Sequence, residues 1–132
     1  MKRNKWFILL SFIFLGLSLG SILFFTSLDQ AKWFDDGFDI FAGLILLNSG
    51  ILIYSSYSKF KLKSLFYVSV GVIILAFQRV PQIFLQEWQL SINYNYPMIL
   101  GISSGILYWS LADLVTTLGI FFMFLGFREA IK

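Results

Sequence analysis

Apolar residues run along this chain in four stretches of about 20, bounded by short clusters of charge rather than interleaved with it. A stretch of that length, wound as an α-helix, crosses about 30 Å of hydrocarbon. A water-soluble helix would instead carry a polar stripe along one side. The pattern predicts helices over about 6–28, 38–57, 64–86 and 105–127, an all-α membrane protein built as a four-transmembrane-helix bundle of up-down-up-down topology. One transmembrane domain then accounts for residues 1–132, and no soluble domain is expected.

The first stretch follows Lys2, Arg3 and Lys5, a start that secretory signals share. It runs through Phe24 and Phe25 to Leu28 without an A-x-A cleavage pattern, so it reads as an uncleaved helix. Asp29 to Asp39, with Asp35, Asp36, Lys32, Trp33 and Gly37, reads as a short acidic loop, whose acids are expected to be solvated rather than to hold a cation. Lys59, Lys61 and Lys63 close the second helix. The third turns polar late, at Gln78, Arg79, Gln82 and Gln86 around Pro81. Glu87 to about Ser104, with Trp88, Tyr94, Tyr96 and Pro97, reads as an interfacial loop, part of it lying flat on the membrane. A different division ends the third helix near Pro81 and makes 82–90 an amphipathic interfacial helix.

Basic residues near helix ends are retained in the cytoplasm. Lys2, Arg3, Lys5, Lys59, Lys61, Lys63, Arg128 and Lys132 fall on one side, against Lys32 on the other. The expected location is therefore the cell membrane, inner or plasma, multi-pass, with both termini cytoplasmic. The lack of an extramembrane domain suggests a prokaryotic inner membrane.

Composition narrows the chemistry: 58% of the residues are hydrophobic and 13% charged, with no cysteine and no histidine. That excludes disulfides, thiolate or imidazole metal sites and haem ligated by those residues. The net charge of +3 flanks apolar segments instead of forming a stripe, so nucleic acid is not an expected partner. No cofactor, metal site or catalytic constellation is visible.

Arg79 and Asp113 are the charges inside the apolar helices. Arg79 lies 16 residues beyond Lys63 and Asp113 lies 15 before Arg128, roughly 24 and 22 Å along their helices. Equal depth makes an interhelical ion pair the expected arrangement, a structural lock more readily than a proton relay, since the arginine would keep the carboxylate ionised. The competing arrangement has Arg79 snorkelling outward and Asp113 facing the bundle alone. Gln78, Gln82 and Gln86 recur every four residues beside Arg79, so with Tyr108, Trp109, Thr116 and Thr117 opposite they outline a polar pocket open to the outer side. Gly16 with Gly20 and Gly101 with Gly105 form two GxxxG patterns, read as close packing within the bundle more readily than as a dimer seam. Asn48 and Ser49, beside Gly50, are expected to bond between helices. Gly43 and Gly50 share the spacing of Gly119 and Gly126, a weak hint of two related halves.

The function class that follows is a small non-enzymatic membrane protein acting through protein–protein contacts within the bilayer, an accessory subunit or a guard protein of the immunity type. Its expected partners are lipid and either another membrane protein or a further copy. The alternative is an oligomeric transporter, channel or lipid-binding protein using the Arg79 and Asp113 level, and a lipid-modifying enzyme ranks last.

Overall fold

The computed structural model describes residues 2–24, 30–92 and 95–132. Helices α1 (Lys2–Phe24), α2 (Gln30–Phe60), α3 (Lys63–Ser91) and α4 (Ser104–Ile131) make up nearly all of it, and a two-stranded hairpin, β1 (Met98–Ile99) and β2 (Ile102–Ser103), joins α3 to α4. Each helix contains a span long and apolar enough to cross a membrane.

α3 runs antiparallel to both α2 and α4, as their contacts show. Phe14 of α1 fills the space that a side chain at Gly43 of α2 would need; Gly50 of α2 meets Ile73 of α3; Gly71 of α3 meets Gly119 of α4, and Gly126 meets Val68. α3 touches all three other helices. Its apolar stretch is accordingly the best covered, 33% buried against 17% for those of α1 and α4. The main core lies between α1, α2 and α3, on Phe14, Leu47, Ile51 and Ala76, with Phe7, Ile73 and Phe77 packed around them. The Phe14 and Phe77 rings meet edge to face at 5.9 Å, an arrangement that suits the aromatic quadrupole.

α4 is held differently. Its buried residues are Ser104, Gly105, Ala112, Gly119 and Gly126, all small, and the last four stand seven apart, which keeps them on one seam of a left-handed helix pair. Small residues let two backbones approach closely where apolar surroundings supply no hydrophobic drive. α2 shows the same period: Asp36, Gly43 and Gly50 are all buried.

Two elements differ from the sequence reading. The acidic segment is not a loop: α2 begins at Gln30, so that Asp36 and Asp39 stand on helix, and Asp36 is only 2% exposed. The seven-residue seam carries Asp36 inward with Gly43 and Gly50, and Asp39, one turn further along the helix, meets Arg79. α3 likewise continues through Pro81 to Ser91, which buries Glu87. Proline removes one intrahelical bond, but the neighbouring helices hold the rest of the turn in place. The interfacial segment is thus a continuation of α3 followed by the hairpin. Of the sequence boundaries, the end of helix 1 at 25–28 and Asp29 lie outside the described residues.

The hairpin pairs Met98 with Ser103 and Ile99 with Ile102. Its two turn residues, Leu100 (φ 52°) and Gly101 (φ 80°), both have positive φ, as a type I′ turn requires. Gly101 is therefore a turn residue and not part of a helix–helix seam. Gly105 is buried beneath the Tyr96 ring, 2.7 Å from where its Cβ would lie.

Candidate functional site

Arg79 sits on the α3 face between α2 and α4. Its Nη1 donates to Asp39 Oδ1 of α2 at 3.3 Å, and the two side chains are 32% and 18% exposed. The expected bond to Asp113 is not made. Asp113 stands on the exposed side of α4, nine residues in from Ser104, and its described hydrogen bond is the one its backbone carbonyl accepts from Thr117 Oγ1 at 2.8 Å. The physical reason is rotational. Depth along the bundle permits either carboxylate to meet Arg79, but the small-residue seam fixes the angle of α4, which points Ala112 at α3 and leaves Asp113 at the exposed edge of the α3–α4 crevice, while Asp39 of α2 meets the guanidinium.

Arg79 and Asp113 nevertheless border one cavity of about 480 Å³, together with Leu46 of α2, Gln78 and Gln82 of α3, and Trp109 and Thr116 of α4. The spacing of Gln78 and Gln82 places both on the wall it forms with Arg79. Gln86, one turn further, is half-buried and does not line it. Trp109 Nε1 donates to Gln89 Oε1 at 3.2 Å, tying α4 to α3 above the cavity. Thr116 Oγ1 turns back to its own helix, donating to Ala112 O at 3.2 Å. The arrangement is a polar crevice with one neutralised cation and one outward-facing carboxylate. Among the described residues, no three acids group as metal ligands would.

Tyr108 lies on the other side of the α3–α4 seam. Its ring meets Trp88 edge to face at 5.4 Å, and Trp88 in turn lies 5.3 Å from Tyr96. Tyr108 and Trp88 border a second, apolar cavity beneath the hairpin.

The packing residues divide similarly. Gly50 and Gly105 are in tight contacts, whereas Gly16 and Gly20 are exposed, with nothing within 4 Å of a Cβ at either. Their GxxxG faces out of the bundle because Phe14, Ser18 and Ile22 occupy the buried face of α1. Asn48 is exposed on α2 and makes no interhelical bond, and Ser49 donates to Ile45 O of its own helix at 2.8 Å. Both follow from the α2 seam, which points Gly43, Leu47 and Gly50 inward and leaves position 48 opposite.

Sequence reasoning overlooked Asp39 as the partner of Arg79, and the burial of Asp36 and Glu87. The signal for Asp36 is its seven-residue spacing to Gly43 and Gly50. Asp39 lies 20 residues before Lys59, about 30 Å along α2, within reach of a long arginine at roughly 24 Å. Comparison of the chain with protein-family models, with curated proteins and with solved structures finds no match.

Proposed function

We propose that this chain is a multi-pass membrane protein, N and C termini cytoplasmic, that works through a contact with another membrane protein at the α3–α4 face around Asp113. The observation that carries the reading is the exposure of Asp113 well inside α4. On an insertion scale a charge near the centre of a span costs about 2.5–3.5 kcal/mol, so such a residue belongs against protein. Arg79 is already taken by Asp39. The complement of Asp113 is therefore a basic side chain on a partner helix, and Gln78 and Gln82 at the crevice offer further polar contacts. The breadth of exposed apolar surface, including Phe12, Leu17, Phe41, Ile45, Leu114 and Phe124, supports a bilayer as the solvent. Lysine and arginine gathered at one end support the orientation.

No catalytic role is assigned to the crevice, since its one outward carboxylate lacks a base or nucleophile beside it. The test is site-specific photocrosslinking from position 109 in cells, compared with position 121 on the outward face of α4. The expected result is a crosslink to a second polypeptide that is lost in Asp113→Arg and returns when a basic residue in the crosslinked helix of that polypeptide is changed to aspartate. Crosslinks confined to lipid, or to further copies of this chain, would sink the reading and favour a self-assembled transporter or channel.

A further inference from the structure

We propose that the cavity beneath the β1–β2 hairpin binds one ester-linked acyl chain of a membrane phospholipid, with Ser104 Oγ donating to the ester carbonyl. The inference rests on the membrane reading above but not on the contact at Asp113. The cavity has a volume of about 620 Å³ and lies between the ends of α3 and α4, bordered by Leu85, Trp88, Ile99, Ser104, Tyr108 and Leu111. That size and lining, mostly apolar with a few polar groups at one end, are typical of a small-ligand site.

Its polar end is incomplete. Ser104 is 1% exposed and its Oγ has no hydrogen-bond partner, although buried hydroxyls are normally paired. Ser104 is also the first residue of α4, a 28-residue helix whose capping residue, Ser103 just before it, makes no side-chain capping bond. The Ser104 N–H is already taken by Pro97 O at 2.9 Å. A helix N-terminus carries partial positive charge, so hydroxyl and helix end together call for an acceptor. No charged side chain borders the cavity. A carboxylate or phosphate would be left unpaired there, whereas a neutral ester carbonyl would not. Below Ser104 the lining descends through Tyr108 and Leu111 to Val115, eleven residues or about 16 Å along α4, an apolar track suited to an extended hydrocarbon chain.

A further cavity, at the opposite end between α1, α2 and α3, lacks this feature. It is bordered by Trp6, Tyr54, Ser55, Ser58 and Ser69, but Ser69, its fully buried hydroxyl, already donates to Phe66 O at 2.8 Å.

The test uses the full chain in phosphatidylethanolamine and phosphatidylglycerol vesicles containing a phosphatidylcholine with a diazirine in one acyl chain, with a diazirine fatty acid in a parallel sample. Label is mapped by mass spectrometry after alkaline carbonate washing. The expected result is phospholipid label concentrated at 81–88 and 104–115. It should fall about fivefold in Ser104→Ala, the loss of one hydrogen bond, and vanish there in Leu111→Trp, where a large ring at a half-exposed position blocks the mouth. Label spread evenly over the outward faces of all four helices, label unchanged in both variants, or labelling by the fatty acid in preference to the phospholipid would each overturn the assignment. Release of the chain by carbonate would overturn the membrane reading itself, an outcome distinct from even labelling of an embedded chain.

Discussion

Arg79 of α3 and Asp39 of α2 are joined at 3.3 Å, so the cation inside the third helix is neutralised by the second helix and not by Asp113 of the fourth. A part-buried pair of this kind contributes more than a surface pair and is costly to break on one side only. Arg79→Ala is expected to lower stability by about 1–3 kcal/mol, measured by denaturation of the folded protein in mixed micelles. A double-mutant cycle with Asp39→Ala should return a coupling of about 1 kcal/mol. Asp113→Asn should change stability by less than about 0.5 kcal/mol, as for exposed sites without such partners. If Asp113→Asn costs as much as Arg79→Ala and the cycle with Asp39 shows no coupling, the pairing is wrong.

That relationship also shows where the sequence stops being informative. The four apolar lengths are visible because a span needs about 20 residues whatever it packs against. The rotation of each helix is not, because a helix that is apolar all round carries little directional signal, and the choice between Asp39 and Asp113 depends on rotation alone. Helix ends were hidden for a related reason. α2 has 31 residues and α3 has 29, about 46 and 44 Å, so both run past the apolar stretch into segments whose polarity reads as loop. Gly101 shows the limit of a spacing motif: G-x-x-x-G with Gly105 matches a helix seam, yet its φ of 80° belongs to a turn. The better signal is Gly105, Ala112, Gly119 and Gly126 at sevens, but the four-residue pattern joins Gly105 to Gly101 instead and leaves Ala112 unremarked.

Glycine-to-alanine changes should separate the seam from the open face. At Gly71 a Cβ would lie 2.5 Å from Gly119 O and 2.7 Å from the Met123 side chain, and the backbone oxygen cannot be moved without parting α3 from α4. Gly71→Ala is expected to cost about 1–3 kcal/mol. Gly20→Ala meets nothing within 4 Å and should be neutral or stabilising by up to about 1 kcal/mol through helix propensity. Thermal unfolding in one detergent reads both, and equal losses at the two positions would contradict the packing described.

The turn between α2 and α3 can be improved. Lys61 has a φ of 59° and its N–H bonds to Tyr57 O at 2.6 Å, closing α2 with a left-handed residue. Glycine is favoured there because it lacks the Cβ that clashes in this region. Lys61→Gly should raise stability by about 0.5–1 kcal/mol, the gain being reduced by loss of the contact between its ammonium and the Tyr57 ring at 5.6 Å. A loss of stability would mean that the lysine head, rather than the backbone, governs this turn.

The hairpin tip offers a sharper test because its two residues pull in opposite directions. Leu100 is 98% exposed and holds a φ of 52°, a conformation that leucine pays for and asparagine tolerates, while Gly101 is already suited to its φ of 80°. Leu100→Asn should therefore stabilise the hairpin, and Gly101→Ala should destabilise it by about 1 kcal/mol or more. The hairpin roofs the cavity through Pro97 and Ile99, so its opening is read by hydrogen exchange at the Ile99 and Ile102 amides, slower in the first variant and faster in the second. If Leu100→Asn speeds exchange instead, the leucine is held by something outside the chain, and at 98% exposure that contact must come from the bilayer surface or from a partner.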